Sequence, residues 1–403
     1  MGYDCGHFFS GHRAMLNVQA IRIQGQVQAY QWGGKSFLPA LLGYRNEREL
    51  PQAEYWLGAH PSARAVSVDD KTPLDELLAA HGAAPLQFLL KILDVQDMLS
   101  IQAHPNKQQA REGFARENAQ GIALDAKNRN YKDSSDKPEL MVALSEFWLL
   151  HGFRDIPAIA DLLATHPSLT KLRAILLQDG LIAAFSYALD FASADVQTMQ
   201  RELAQSLRNP PESFAKDTPE FWVQRWLEKN PQVENGILTL FFLNLLKLEP
   251  GMAVYQPAGL LHAYLEGQNV ELMANSDNVL RAGLTPKHID VEELLRTCWI
   301  APSRVEDFII APQTCVNGEI RYVTPFEEFE LAEITGTEGT QVTWLVEAPE
   351  ILFCYHGRAT LQTDAQSSLS IAQGESVLLL PGPQVSLQAN SPKVRFFKAR
   401  NLL

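Results

Sequence analysis

Two histidines, a carboxylate and an amide stand in three short stretches whose residue types suit one metal ion. They are Gln102-Ala103-His104, Glu139 in Asp136-Lys137-Pro138-Glu139-Leu140, and His262 in Leu260-Leu261-His262-Ala263-Tyr264. In an extended strand alternate side chains share a face, so Gln102 and His104 can converge on one point while Ala103 faces away. Two imidazoles, one carboxylate and one neutral oxygen donor leave room for water or a substrate, as a catalytic zinc requires. A single histidine in a chain with ten is more commonly a hydrogen-bonded core or surface residue than a ligand, and spacing alone barely changes that. The elements that position these residues therefore carry the argument.

Phe88-Leu89-Leu90-Lys91-Ile92-Leu93 and Leu99-Ser100-Ile101-Gln102-Ala103-His104 read as a pair of strands, the first nearly all apolar and hence buried, the second alternating, with Asp94 and Asp97 in the turn between them. Residues 108–118 have helical composition after Pro105-Asn106. Lys137 to Leu144 runs from a polar loop into another apolar strand, which places Glu139 at a strand entrance. From Ile156 to about Asn235 the apolar residues take the three-and-four spacing of amphipathic helices, with breaks at Asn209-Pro210-Pro211 and Asn230-Pro231. Strand texture returns after Glu249-Pro250-Gly251 and again from about Glu319. An all-β sandwich or barrel with Greek-key turns suits both β-rich parts. The last part contains only His356, so no metal is expected there.

At 403 residues the chain is long enough for two or three structural units. Apolar residues make up 46% and charged residues 20%, an ordinary globular composition. A net charge of -13 speaks against nucleic acid or an anionic membrane as the main partner, so an anionic substrate would need a local basic pocket. The four cysteines lie far apart without a Cys-x-x-Cys pair, which indicates neither a disulfide framework nor a thiolate zinc site. No apolar run is long enough to span a bilayer. The first residues lack a signal-peptide pattern and read as a loose extension, with Met15 a candidate natural start.

Several long segments, spanning nearly everything from about residue 21 onward, resemble the type I mannose-6-phosphate isomerases, or phosphomannose isomerases, of the cupin superfamily. The densest are Ser100-Ile101-Gln102-Ala103-His104-Pro105-Asn106-Lys107, Asn130-Tyr131-Lys132-Asp133 with Lys137-Pro138-Glu139-Leu140, and His262-Ala263-Tyr264-Leu265. The most specific is the run from Met273-Ala274-Asn275-Ser276-Asp277-Asn278 through Arg281-Ala282-Gly283-Leu284-Thr285-Pro286-Lys287. The resemblance implies a mainly β chain with an α insertion: an N-terminal extension (1–20), a cupin jelly-roll catalytic core (21–155 and 236–310), a helical subdomain (156–235) and a second jelly-roll (311–403). It also implies one zinc per chain, held by Gln102, His104, Glu139 and His262, and interconversion of mannose 6-phosphate and fructose 6-phosphate by moving a proton between C1 and C2 through a cis-enediol.

That chemistry needs a base near the proton and positive charge where the oxyanion forms. Arg281, similar to the residue treated as catalytic in the family, is the first choice for the charge; its rival role is a surface arginine paired to Asp277, four positions earlier. Lys137, Asp277, His104 and a metal-bound water all remain candidates for the proton shuttle. Lys137 lies two residues from Glu139 and would share its face. For the phosphate the candidates are Ser100, Lys107 and Lys287, and the resemblance favours Ser100, Lys137 and Lys287 over Lys107 as substrate contacts.

His60, His81, His151, His166 and His288 read as structural or solvent-facing, Trp222 and Trp226 as one packed helix face, and Lys132, Asp133 and Asp136 as a solvated loop. Two rival functions belong to other classes. A ferrous cupin oxygenase would use two histidines and a carboxylate, against which the neutral Gln102 and nearby cations argue. A non-catalytic sugar-phosphate sensor would keep the pocket without turnover. The expected setting is a cytoplasmic monomer with a small sugar phosphate as its partner.

Overall fold

The mostly apolar segment Phe88–Val95 forms a strand buried along its whole length. Glu54–Gly58 pairs on one side of it and residues 267–274 on the other. The structure is a computed structural model, described here for residues 20–208, 213–231, 236–363, 367–382 and 384–402. The candidate start at Met15 and the Asn209-Pro210-Pro211 break lie outside the described residues.

Two sheets share the long strand His262–Ala274. The first runs Ile309–Ile310, Ala253–Gln256, Glu139–Ala143, His262–Ala274, Phe88–Val95, Glu54–Gly58 and Gln26–Gln28. The second is built from Leu280–Gly283, Ile101–Ala103, the start of His262–Ala274, Phe147–Phe153 and Leu243–Leu248. The shared strand changes sheets around a register shift between Tyr264 and Glu266, next to Gly267 at φ 127°. A Cβ on Gly267 would lie 2.6 Å from the Glu146 carbonyl oxygen, so only glycine fits this bend. Leu93, Met141 and Val254 from the first sheet meet Leu149, Leu246 and Tyr264 from the second, closing a common interior.

Strand alternation assigns each face of the first sheet a separate task. Leu90, Ile92, Leu140, Val142, Val270 and Leu272 turn away from the interior and pack against Ile351, Phe353, Leu378 and Phe397 of the C-terminal part. Each such side chain contributes about 1.5–3 kcal/mol when fully buried. The C-terminal part is an eight-stranded sheet facing a four-stranded one over a core that includes Leu352, Leu361, Val385 and Phe396. Ala20–Gln24 and Val66–Ser67 also join the eight-stranded sheet, so the N-terminal chain crosses into the C-terminal sandwich. This mainly β, cupin-type architecture with a helical insertion agrees with the sequence reading.

The helical stretch carries α-helices at Ile156–Ala164, Thr170–Asp179, Leu181–Ala188, Ala194–Arg208 and Pro219–Lys229. Asp155 caps the first by accepting from the Ala158 amide at 2.8 Å, a contact worth about 1 kcal/mol. These helices cover the outer face of the second sheet, and Trp222 and Trp226 are buried in that contact as expected. The helix expected at 108–118 spans Lys107–Ala119 and starts with a capping box made by Asn106 and Gln109.

One expectation needs correction. The Phe88–Val95 and Ile101–Ala103 strands do not pair with each other: the first pairs within one sheet, the second with His262 and with Leu280–Gly283 in the other. Asp94 therefore lies within a strand, not in a hairpin turn. A short polar connection looks like a hairpin in sequence, but here it carries the chain from one sheet to its partner.

Candidate active site

His104, Glu139 and His262 are all buried, and their ligand atoms lie within 4.8 Å of one another. Glu139 opens its strand as predicted. His104 stands just past the end of Ile101–Ala103. The Glu139 carboxylate lies between the rings, with Oε1 at 3.3 Å from His104 Nε2 and Oε2 at 3.2 Å from His262 Nε2. Each imidazole is held by its other nitrogen: His104 Nδ1 donates to the Asn278 carbonyl at 2.7 Å and His262 Nδ1 to the Leu260 carbonyl at 3.0 Å. A carbonyl can only accept, so both Nδ1 atoms carry the proton and both Nε2 lone pairs are bare. Among the described residues neither Nε2 has a hydrogen-bond partner. Bare imidazole nitrogens converging on a carboxylate are a donor set that fits a divalent cation such as zinc.

Burial, together with the charge of Lys137, pushes His104 down to about 4, so its ring is neutral near pH 7. Burial would raise Glu139, but Lys137, 3.0 Å from Oε1, and the facing histidine hold its carboxylate well below the usual range. Register adds a polar row across the second sheet. Arg281 lies opposite Gln102, Gln102 opposite His262, and His262 opposite His151. Directly paired residues share a face, so Gln102 presents its amide beside the histidine pair.

Arg281 is half-buried and, among the described residues, has no carboxylate partner. Burial lowers its pKa, and no neighbouring charge compensates. Lys287 is lowered by burial and then by the Arg281 charge. Two neighbouring cations without a counter-ion make a local anion site on an acidic protein. The alternative Arg281–Asp277 pair is not formed. Arg281 lies on a strand, where an i,i+4 pair does not meet, and Asp277 Oδ2 instead lies 3.4 Å from His60 Nε2. Ser100 directly precedes the strand that carries Gln102. Lys107 is engaged by Glu328 and lines a cleft of about 450 Å³ with Asp136, Glu327 and Glu328. That acidic lining suits a dianion poorly.

One loop expectation changes. Asp133 is an organiser and not a solvated charge, since it accepts from Ser276 Oγ at 2.9 Å and from the Asp277 amide at 3.0 Å. Asn278 then holds the loop by donating to Ser135 at 2.8 Å. Of the two readings the sequence left for His60, structural or solvent-facing, the structural one holds, because it is buried against the Trp56 ring beside Asp277.

Lys91, absent from the expected site residues, is the principal addition. It lies opposite Glu271 and Trp56 on the inward face, 3.1 Å from Glu271, 3.5 Å from Glu54 and 4.9 Å above the Trp56 ring. Burial alone would lower it, but the two carboxylates outweigh that and keep the ammonium raised. A lone lysine in the middle of the otherwise apolar run at residues 88–93 was the available signal, since it must have a buried partner.

The family model for the type I phosphomannose isomerase catalytic domain matches residues 20–156. The mannose-6-phosphate isomerase of Escherichia coli is 34% identical over 376 residues, covering 89% of this chain and 94% of that protein. The chain belongs to the type I phosphomannose isomerase family. The Saccharomyces cerevisiae mannose-6-phosphate isomerase is 29% identical over 95% of this chain and 99% of its own. Among solved phosphomannose isomerases, the Salmonella typhimurium enzyme bound to substrate (f6p) and zinc superposes with a TM-score of 0.84 at 31% identity, covering 96% of this chain and all of that one (100%). A zinc-bound mannose 6-phosphate isomerase gives 0.85 at 32% identity over the same shares, 96% and 100%.

Proposed function

We propose that the chain is a zinc-dependent mannose-6-phosphate isomerase, an aldose-ketose isomerase interconverting D-mannose 6-phosphate and D-fructose 6-phosphate. The relatives' activity and the donor set support zinc as cofactor, one per chain, with Gln102, His104, Glu139 and His262 as its ligands. When bound, the ion supplies positive charge that polarises the oxygens on C1 and C2.

The open-chain aldose loses its C2 proton to a base while O1 takes up a proton to give the cis-enediol; loss of the O2 proton and return of a proton at C1 then give the ketose. No redox partner is needed. Arg281 supplies charge for the enediolate oxygen, since its guanidinium stays protonated and has no competing carboxylate. Lys137 and Asp277 belong to the acid–base set, and His104 is held neutral in the apo arrangement. Lys287, with Ser100, orients the phosphate, whose binding energy positions the reacting carbons. Lys107 contributes less, because Glu328 already neutralises it.

This reading makes residues 21–155 and 236–310 the catalytic unit, 156–235 a supporting insertion, 311–403 a second jelly-roll and 1–20 an extension. It treats the protein as a cytoplasmic monomer without nucleic-acid or membrane partners. Among the described residues no helix is long and apolar enough to cross a membrane.

The uncompensated Arg281 and Lys287 beside the paired histidines carry the proposal. In a coupled isomerase assay the zinc-loaded protein should turn over mannose 6-phosphate. Arg281→Ala should retain zinc while kcat falls by about 10²–10³-fold, the cost of one oxyanion-stabilising donor. Full turnover by demetallated protein, or an unchanged Arg281→Ala, would overturn the reading.

A further inference from the structure

Behind the ligand cluster stand two polar side chains that the reaction does not use. His151 is fully buried and lies opposite His262 in register. Gln256, 1% exposed, lies opposite Glu139. His262 Nε2 and Glu139 Oε2 are 3.2 Å apart, and His151 Nε2 donates to the carbonyl of Tyr255, the residue before Gln256, at 3.1 Å. Directly paired residues share a face, so His151 stands beside His262 and Gln256 beside Glu139, around the one direct side-chain contact, His262 to Glu139. The Phe308 ring packs on His151 at 5.1 Å and seals its outer side.

Besides His262 Nε2, three further polar atoms of these four side chains have no hydrogen-bond partner among the described residues: His151 Nδ1, Gln256 Oε1 and Gln256 Nε2. With Nε2–H given to the Tyr255 carbonyl, the neutral His151 ring leaves Nδ1 as an acceptor. Gln256 offers both a donor and an acceptor. Buried polar atoms are rarely left dry, and a cluster holding both functions suits ordered water, which needs two to four polar partners. Two apolar side chains would have filled this layer without the cost of burying an amide.

We propose that His151 and Gln256 are positioning residues that hold an ordered water behind the cluster and thereby fix His262 and Glu139 in the geometry that retains the metal. The inference rests on the metal-centre reading above and deepens it. Neither residue touches the substrate. Their effect is on metal affinity, where removal of a partner behind the ligands typically costs 10–100-fold.

Zinc dissociation constants measured by chelator competition on the full chain test this, using Gln256→Met, close to isosteric, and His151→Leu, which withdraws both ring nitrogens and with them the Nδ1 acceptor. The expected result is at least a tenfold weaker zinc affinity in each variant with a wild-type circular-dichroism spectrum, and ordered water within hydrogen-bond distance of His151 Nδ1 and Gln256 in a crystal structure of the zinc form. Wild-type affinity in both variants overturns the proposal, as does a Gln256→Met protein that is more thermostable with unchanged affinity, since that marks a dry, merely costly amide. A wild-type chain that binds no zinc overturns the metal reading itself, a result distinguishable from either of these.

Discussion

The two sandwiches contain nearly the same buried ionic device, and only one of them adjoins a site. In the histidine-bearing sandwich Lys91 lies over Trp56 at 4.9 Å, contacts Glu54 and Glu271, and the indole donates to Glu54. In the C-terminal sandwich Lys398 lies over Trp344 at 4.7 Å, contacts Glu319, and the indole donates to Glu350 at 2.8 Å. A lysine, a tryptophan and two glutamates thus form a motif for keeping charge inside a β-sandwich. The difference lies in the surroundings. In the C-terminal cluster arginines approach the neighbouring carboxylates, Arg321 to Glu319 at 3.8 Å and Arg400 to Glu330 at 2.9 Å, and the part's single histidine, His356, is exposed at a strand end. Beside the Lys91 cluster two bare imidazole nitrogens and the unpartnered Arg281 remain. A buried charge cluster is therefore no sign of chemistry in itself, and neither is a single orphaned oxygen, since Glu319 Oε2 and Glu350 Oε1 of the C-terminal cluster also lack a hydrogen-bond partner; bare imidazole nitrogens converging on a carboxylate are.

The strongest test of that contrast is His262→Ala, which should abolish most zinc binding and lower turnover by at least about 10³-fold, because it removes one of the few donors of an already weak set. Metal analysis with the coupled assay checks it, and retained zinc would remove His262 from the centre. Next in size, Lys91→Met and Lys398→Met should each cost about 3–5 kcal/mol of stability, since each strands carboxylates in the interior. Only Lys91→Met should also impair zinc retention and turnover in the folded fraction. Equal loss of activity from Lys398→Met would erase the distinction between the sandwiches.

The smallest effect is in pH dependence. Burial holds His104 at about 4 and His151 at about 3, against about 6.5 in an unfolded chain. Between about pH 6.5 and 4 the unfolded chain binds protons at these rings that the folded metal-free chain does not. Stability therefore falls as pH falls, by up to about 1.4 kcal/mol per pH unit for each ring. Glu350 is raised by burial, so its contribution is present at low pH and lost as pH rises through its folded value, the opposite sign. Urea midpoints of the metal-free protein from pH 7 to 4.5 would show the slope, and His151→Asn should flatten it. A slope unchanged in that variant would contradict a neutral, buried His151.

Much of the architecture was readable from the chain because alternation and helical spacing are local properties. The nearly all apolar strand at residues 88–93, the strand entrance at Glu139 and the helices of the insertion followed from composition and period alone. Strand partners did not. Phe88–Val95 and Ile101–Ala103 sit in different sheets, and Ala20–Gln24 joins the C-terminal sandwich, because pairing is decided by distant strands. For the same reason Lys91, His60, His151 and Gln256 were indistinct as site residues. Each gains its meaning from a cross-strand neighbour far away in sequence, such as Glu271, Asp277, His262 or Glu139.

By itself the sequence determined which donors exist and which face of each strand they occupy, since side-chain direction alternates with position whatever the tertiary fold. Only the folded chain decided which nitrogens are left bare, which carboxylates are already neutralised and which cations remain free. Those depend on distances between segments that are mostly tens to hundreds of residues apart in the chain, where electrostatic energies change steeply over a few ångströms.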